Sequence, residues 1–94
     1  MKAIRTVVTG VGLVSPMGCD TENYFQQLLN GECGIDKVTR FDISDFATKI
    51  AAEVKDFDPS DFMEKKEIRR LDYTEQYAIA ASQIAIDDSK LVLD

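Results

Sequence analysis

The sequence predicts an α/β protein in which helices cover a strand on both of its faces. Three observations predict this class. Residues 3–9 are rich in β-branched side chains, residues 48–54 alternate like a second strand, and two other segments carry helical spacing with capping signals. The 94 residues allow one small domain, and we expect no boundary within 1–94. The apolar fraction of 45% and the charged fraction of 30% are those of an ordinary globular protein.

The first predicted strand is Ala-Ile-Arg-Thr-Val-Val-Thr, at residues 3–9. Val7 and Val8 are adjacent in it, so they face opposite sides of a sheet. A strand that is apolar on both sides is typical of the centre of an α/β layer structure. The sequence therefore predicts that this strand is buried on both faces.

The glycines after this strand, Gly10 and Gly12, invite comparison with a dinucleotide-binding turn. That turn needs a third glycine where Ser15 stands, and Pro16 disfavours helical geometry at Ser15. We therefore interpret the two glycines as allowing a tight backbone path after a central strand.

A first helix is predicted from Asp20 or Thr21 to about Asn30, with Gly31 as its left-handed C-terminal cap. Its apolar face consists of Tyr24, Phe25, Leu28 and Leu29. Residues 31–46 are predicted to form a loop.

The second predicted strand, 48–54, places Ile50, Ala52 and Val54 on one face. The pair Asp58-Pro59 then predicts the start of a short helix that runs to about Met63.

A long helix is predicted after the charged run 64–70. Asp72 to Glu75 have the spacing of a capping box, and the helix is expected to end near Asp88. Its predicted stripe consists of Tyr77, Ala81, Ile84 and either Ala85 or Asp88. Two substantial helices are too few to cover both faces of a central strand, and an apolar segment begins at Leu91. We therefore expect these residues to be the opening part of a larger domain.

Composition excludes several classes of function. The net charge of −6 argues against nucleic acid as a partner, because binding it needs a basic face. The apolar runs are too short for a membrane span and do not resemble a signal peptide. The chain has no histidine, so a zinc site lacks ligands and catalysis of the nucleophile–base kind lacks its usual base. We expect no catalytic residue, no metal and no cofactor site in this chain.

The two cysteines, Cys19 and Cys33, indicate a reduced, cytoplasmic chain by default. Cys19 stands next to a predicted helix start, where a thiol pKa can fall. Its neighbour Asp20 would raise that pKa instead, and a base would have to be a lysine or a carboxylate. We interpret Cys19 as a structural thiol, and Cys33 gives no stronger signal.

The charged run contains a basic cluster of four residues: Lys65, Lys66, Arg69 and Arg70. Outside 65–70 the chain has seven basic and sixteen acidic residues. If helical, Lys66, Arg69 and Arg70 share a face. The cluster is either a solvated surface paired with Glu64 and Glu67, or a docking patch for an acidic protein.

Several motifs in register resemble one family over almost the whole chain. They are Arg5-Thr-Val-Val-Thr-Gly-Val-Gly-Leu-Val-Ser-Pro-Met-Gly18, Leu28-Leu29 with Gly31 and Gly34-Ile35, Arg40-Phe41-Asp42, Ala52-Glu53-Val54, Phe57-Asp58-Pro59, Lys66-Glu-Ile-Arg-Arg-Leu-Asp72 and Gln76-Tyr77-Ala78. Together they resemble the opening quarter of the chain-elongating, type II β-ketoacyl-acyl-carrier-protein synthases.

The resemblance implies a thiolase-like fold, with two similar halves in an αβαβα layering, and a homodimer. Family members load an acyl chain onto a cysteine and condense it with the carbanion from malonyl-acyl carrier protein, and two histidines stabilise the developing oxyanion. The resemblance places these three residues beyond residue 94, so neither Cys19 nor Cys33 inherits the nucleophile's role. It implies no cofactor beyond the phosphopantetheine of acyl carrier protein.

One functional feature of the family falls on this chain. The resemblance implies that Lys66, Arg69 and Arg70, with Lys65 as a helper, bind the acidic helix of acyl carrier protein. Two alternatives stay open: a polyketide ketosynthase or its chain-length partner, and a free-standing carrier-protein-binding module without catalysis.

Overall fold

The chain forms a mixed arrangement of short strands and helices, and the structure, a computed structural model, describes residues 3–93. Within that range the regular elements, in chain order, are α1 (Thr21–Leu29), β1 (Asp36–Lys37), β2 (Ile50–Ala51), a 3₁₀ turn (Pro59–Asp61), α2 (Lys65–Ile68) and α3 (Tyr73–Ser89). Helices and strands therefore both occur, as the α/β class predicts.

The predicted strand at 3–9 is wrong for the structure of this chain. These residues have no regular structure and no backbone hydrogen bond to another described residue. They are not buried on both faces either, because Ile4 is 94% exposed and Val8 is 83% exposed. β-branched residues favour extended backbone, but a strand forms only where a neighbouring segment supplies the other half of the ladder.

The glycine segment after residue 9 lies directly against α3. A Cβ built on Gly10 would overlap the backbone oxygen of Ala85 and approach the backbone nitrogen of Ser89 to 2.8 Å. A Cβ on Gly12 would overlap the oxygen of Ala81 and approach the nitrogen of Ala85 to 2.7 Å. The missing side chains therefore allow backbone-to-backbone packing on a helix, which is more specific than the tight turn expected from the sequence.

Helix α1 confirms the sequence prediction closely. Asp20 is its N-cap, and its Oδ1 accepts hydrogen bonds from the amides of Glu22 at 3.0 Å and Asn23 at 3.3 Å. Gly31 follows the helix with a φ of 76° and donates to the carbonyl of Leu28, which makes a left-handed C-terminal cap. The start at Thr21 is also as expected, while the end at Leu29 is one residue earlier.

A small antiparallel sheet corrects two predictions. Asp36 pairs with Ala51 and Lys37 with Ile50, so the predicted loop at 31–46 contains β1. The predicted strand at 48–54 is confirmed only at its centre, Ile50–Ala51. Within residues 3–93, one further backbone bond extends the pairing, from the amide of Val38 to the carbonyl of Lys49 at 3.0 Å.

The segment after β2 folds into a 3₁₀ turn and then into α2. Asp58 caps the turn by accepting from the Ser60 amide at 3.0 Å, so the predicted start is confirmed. The predicted short helix to Met63 is wrong in type and length, because only Pro59–Asp61 is helical and its geometry is 3₁₀.

Helix α3 begins at the predicted cap: the Oδ1 of Asp72 accepts a hydrogen bond from the Glu75 amide at 3.0 Å. It ends at Ser89, one residue beyond the prediction, where Lys90 adopts a left-handed φ of 59°. The expected stripe is half-buried at Tyr77, Ala81, Ile84 and Ala85, whereas Asp88 is exposed.

The most deeply buried positions on α3 are Gln76 and Ala80, which the stripe omits. Among the described apolar residues, Met63 and Ala80 are the buried ones, at 8% and 0% exposure. The radius of gyration is 17.0 Å, against about 12 Å for a compact domain of this length. The described residues therefore form a thin layer with a minimal core.

Candidate functional site

The basic cluster lies on α2 and on the turn that follows it. Helix α2 contains Lys65 and Lys66, and Arg69 is its C-cap. The helical path continues for one more residue, because the amide of Arg70 donates to the carbonyl of Glu67 at 3.0 Å. All four cationic side chains are exposed.

The positive charge of the cluster is not neutralised by local pairing. The sequence left open ion pairs with Glu64 and Glu67, but none of the four cations lies within 4.0 Å of a carboxylate among residues 3–93. The ion pair found in that range joins Lys55 to Asp36, at 4.0 Å and on another part of the surface. Within residues 3–93 the cluster therefore keeps an uncompensated positive charge.

Gln76 holds α2 against α3. The side chain is 5% exposed, and its Nε2 donates to the carbonyls of Leu71 at 3.1 Å and Ile68 at 3.4 Å. It thereby gives a donor to two carbonyls at the C-terminal end of residues 65–71, here called the basic segment, where a helix has no amides of its own to satisfy its last carbonyls. Gln76 is not among the site residues predicted from the sequence. A signal existed, since a glutamine one turn into a helix is placed to reach back to the segment before the cap.

Four aromatic side chains contact one another and form a cluster, here called the aromatic platform: Phe57, Phe62, Tyr73 and Tyr77. The ring of Phe57 stacks on Phe62 at 6.0 Å and meets Tyr77 edge-on at 5.1 Å, and Tyr73 stacks with Tyr77 at 5.9 Å. These separations lie within the range in which aromatic pairs attract one another.

Arg40 joins this platform to the segment after β2. Its Nη2 donates to the carbonyl of Val54 at 2.8 Å and to the Tyr77 hydroxyl at 2.9 Å. Its guanidinium carbon lies 4.9 Å from the centre of the Tyr73 ring, a cation–π distance. The hydrogen bond to Tyr77 raises the pKa of Arg40, so this cation belongs to the framework rather than to the basic cluster.

An open groove of about 540 Å³ lies between the aromatic platform and the basic segment. Its lining consists of Phe57, Pro59, Ile68, Leu71, Asp72, Tyr73 and Gln76. Most of these side chains are apolar, and Ile68 and Leu71 come from the basic segment itself. The cluster and the groove are therefore neighbouring parts of one surface.

The two cysteines, Cys19 and Cys33, are free thiols. Cys19 is half-buried, and burial together with the charge of Asp61 raises the pKa of its thiol. The sequence assigned this effect to Asp20, which instead caps α1. A thiol with a raised pKa is a poor nucleophile, which agrees with a structural role. Cys33 is exposed, beside an apolar pocket of about 250 Å³.

The glycine segment does not have the geometry of a phosphate-binding turn. The faces of Gly10 and Gly12 that would approach a phosphate are filled by the backbone of α3. Within residues 3–93, no three Cys, Asp or Glu side chains converge as metal ligands. None of the helices in the described range combines the length and the apolar character needed to cross a bilayer.

Comparison with known proteins assigns this arrangement to a family. The family model described as "Beta-ketoacyl synthase, N-terminal domain" matches residues 4–94. The chain belongs to the β-ketoacyl synthase family. The motifs quoted from the sequence predicted this membership, and the prediction is confirmed.

Curated members of the β-ketoacyl synthase family align along nearly the whole chain. It is 47% identical over 90 residues to the 3-oxoacyl-[acyl-carrier-protein] synthase 2 of Synechocystis, covering 96% of this chain and 22% of that protein. It is 44% identical over 94 residues to the synthase 2 of Coxiella burnetii, covering 100% of this chain and 23% of that protein. The chain thus spans less than a quarter of the length of these relatives.

A solved structure of the β-ketoacyl synthase family shows the same fold. The ishigamide ketosynthase/chain length factor superposes with a TM-score of 0.81 at 36% identity, over 92% of this chain and 21% of that one. The thiolase-like, mixed α/β fold predicted from the sequence is confirmed for the N-terminal part that the chain represents.

Proposed function

We propose that the chain is the N-terminal part of a 3-oxoacyl-acyl-carrier-protein synthase 2 and that its basic cluster docks acyl carrier protein during fatty-acid elongation. The observation that carries the docking role is a set of four exposed cations without an ion pair to a described carboxylate, on a segment held by Gln76. The curated relatives, 42–47% identical, carry this enzyme's name.

The condensation itself requires residues outside this chain. We propose that the complete enzyme transfers an acyl group from its carrier to a cysteine, decarboxylates malonyl-acyl carrier protein, and joins the resulting carbanion to the acyl thioester. The chain contains no histidine, and the thiol pKa of Cys19 is raised, so no residue here is assigned a catalytic role. The proposal includes a homodimer in the cytoplasm and no cofactor besides the carrier's phosphopantetheine.

The cluster acts on the encounter between the two proteins. Elsewhere the chain is acidic, with sixteen acidic and seven basic residues outside 65–70. A local positive patch on a negative background attracts and orients an acidic helix, and this raises the association rate at low ionic strength. Docking at the exposed side of α2 then places the carrier on a segment anchored to α3.

Charge reversal in the complete enzyme tests this proposal. The double substitution Arg69→Glu and Arg70→Glu should raise KM for carrier-bound substrates at least about tenfold at low salt, because steering becomes repulsion. It should also weaken the salt dependence of KM. The measurement is steady-state condensation with acyl- and malonyl-acyl carrier protein between low and physiological ionic strength.

The matched control reverses two lysines outside the cluster, Lys37→Glu and Lys55→Glu, for the same change in net charge. This control should leave KM nearly unchanged. Identical kinetics for the Arg69/Arg70 variant and the wild type at low salt would contradict the docking role of the cluster.

A polyketide role is the second candidate, because the solved relative at 36% identity is a ketosynthase/chain length factor. The product distinguishes the two. A fatty-acid enzyme adds one two-carbon unit to an acyl chain and releases a 3-oxoacyl carrier thioester. A polyketide enzyme repeats the condensation on its own product. Mass spectrometry of the carrier-bound product after incubation without reductase separates these outcomes.

A further inference from the structure

The apolar groove beside the basic cluster is a separate surface feature, lined mainly by apolar side chains. We infer that this groove accepts an apolar side chain from the helix of the carrier protein that docks on the cluster. The inference rests on the proposed docking function and deepens it, by assigning short-range affinity and register to the groove.

The cluster and the groove share one short segment of chain. Between Lys65 and Leu71 the four cations are exposed, whereas Ile68 and Leu71 are half-buried and line the groove. Any helix that reaches the cations therefore lies within a few residues of the groove. A partner that contacts only the charges would leave this apolar surface in water.

Hydrogen bonds and aromatic contacts fix the walls of the groove. Gln76 fixes the carbonyls of Ile68 and Leu71, and the edge-on pair of Phe57 and Tyr77 lies beneath, with ring centres 5.1 Å apart. A preformed apolar cavity binds without the cost of ordering its walls.

Charge complementarity selects the occupant. The groove has one acidic lining residue, Asp72, and that carboxylate is engaged as the N-cap of α3 through the Glu75 amide. The neighbouring cations favour an acidic partner, and the lining favours an apolar side chain. An amphipathic acidic helix that carries apolar residues beside its carboxylates supplies both, in the helix-in-groove mode of recognition.

The two parts of the surface have separable kinetic effects. Exposed charges act over about a Debye length and change the association rate and its salt dependence. A buried apolar contact acts only after encounter and changes the dissociation rate. Groove variants should therefore shorten the lifetime of the complex without altering its salt slope.

The test measures binding of holo-acyl carrier protein to the immobilised complete enzyme by surface plasmon resonance. Ile68→Ala and Leu71→Ala remove groove lining and leave every charge in place. Each removes three carbon groups and should raise Kd between about fourfold and about sixtyfold through faster dissociation, since each carbon group removed from a fully buried contact weakens binding about fourfold. The matched control is Phe25→Ala, an exposed apolar position on α1, and should leave Kd unchanged.

The outcomes separate this inference from the proposed function. If charge reversal at Arg69 and Arg70 weakens binding but the groove variants behave like Phe25→Ala, the groove inference fails alone. If charge reversal has no effect, the docking function fails.

A purely structural role of the groove residues would give its own result. Groove variants that lower the melting temperature of the enzyme and keep the wild-type Kd would show that Ile68 and Leu71 serve only the packing of the enzyme itself, which overturns the inference. Should either alanine variant fail to fold, Ile68→Val removes one carbon and should still raise Kd about fourfold.

Discussion

Glu53 is an almost fully buried carboxylate that is held by hydrogen bonds, and it fixes the loop after β1. It is 9% exposed. One carboxylate oxygen accepts from the Thr39 amide at 3.0 Å and the Thr39 hydroxyl at 2.9 Å, and the other accepts from the Arg40 amide at 3.2 Å. This clasp positions Arg40, whose guanidinium reaches the aromatic platform under the docking surface.

The same clasp makes local stability depend on pH. Burial raises the pKa of Glu53, but the hydrogen bonds from Thr39 and Arg40, with the charge of Arg40, outweigh it and hold the pKa below its ordinary value of 4.5. A carboxyl whose pKa is depressed by folding contributes stability that is complete above the ordinary value. That contribution is lost as pH falls through the folded value.

We therefore expect the Thr39 and Arg40 amides to lose protection as pH falls below about 4.5, after correction for intrinsic exchange rates. Glu53→Gln should reduce protection at neutral pH and flatten this dependence, because an amide cannot be protonated in this range. Hydrogen exchange followed by mass spectrometry on the complete enzyme measures both. Equal pH dependence in the two proteins would contradict the assignment.

At the scale of elements, α3 organises the described residues. Its first turns hold α2 through Gln76, and its later turns pack against the backbone of Gly10 and Gly12. The amide of Val11, between the two glycines, donates to Asp88 Oδ2 at 2.9 Å. A side chain at either glycine would have to push the opening segment off the helix.

Gly12→Ala should therefore destabilise the packing of residues 10–12 on α3 by about 1–3 kcal/mol, the usual cost of forcing extra volume into a packed contact. The matched control is Val11→Ala, which keeps the backbone path and should cost less. Hydrogen exchange of α3 in the complete enzyme gives the local opening free energy. A Gly12 variant with wild-type protection of α3 would show that the contact is loose.

The sequence predicted the elements whose signals are local. Both long helices begin at the aspartates expected to cap them, Asp20 and Asp72, because a cap needs only amides two or three residues away. The strand at 3–9 was predicted wrongly, since pairing depends on residues far away in sequence. Sheet strand β1 was missed, because Asp36 and Lys37 carry no β-propensity and their pairing depends on a partner 13 to 15 residues later.

In the candidate site, too, local features could be predicted from the sequence and long-range ones could not. The basic cluster could be found from composition, since it concentrates four of the eleven basic residues within 65–70. The groove and the hydrogen bonds of Gln76 could not be found from the sequence, because they depend on the relative placement of α2, α3 and the aromatic residues. The docking role of the cluster stays a prediction.

At the scale of the whole molecule, the apolar surface is far larger than the core. Met63 and Ala80 are buried, whereas two apolar segments at opposite ends of the described range are exposed, at Val7–Val8 and Leu91–Leu93. Contiguous apolar surface of this kind marks an interaction site or an aggregation hazard. A radius of gyration of 17.0 Å agrees with a layer that depends on cover from elsewhere.

The isolated 94-residue chain should therefore bind a hydrophobic dye and unfold with little cooperativity, or aggregate. Dye fluorescence and differential scanning calorimetry measure these properties, with the complete enzyme as the control. A monomer that melts in one sharp transition would contradict this expectation and would support a free-standing carrier-binding module.

The rigid length of α3 has a consequence for how the surface and the interior are spaced. The 17 residues of α3 span about 25 Å. The basic segment is fixed at the first turns of the helix, and Gly10 and Gly12 contact its later turns. The helix thus fixes the distance between the proposed docking segment, held by Gln76, and the contact that Gly10 and Gly12 make with the last turns of α3. One residue inserted between Gln76 and Ala81 would turn the two ends by about 100° relative to each other. The chain therefore tolerates changes of side chain on the outer face of α3 far better than a change of its length.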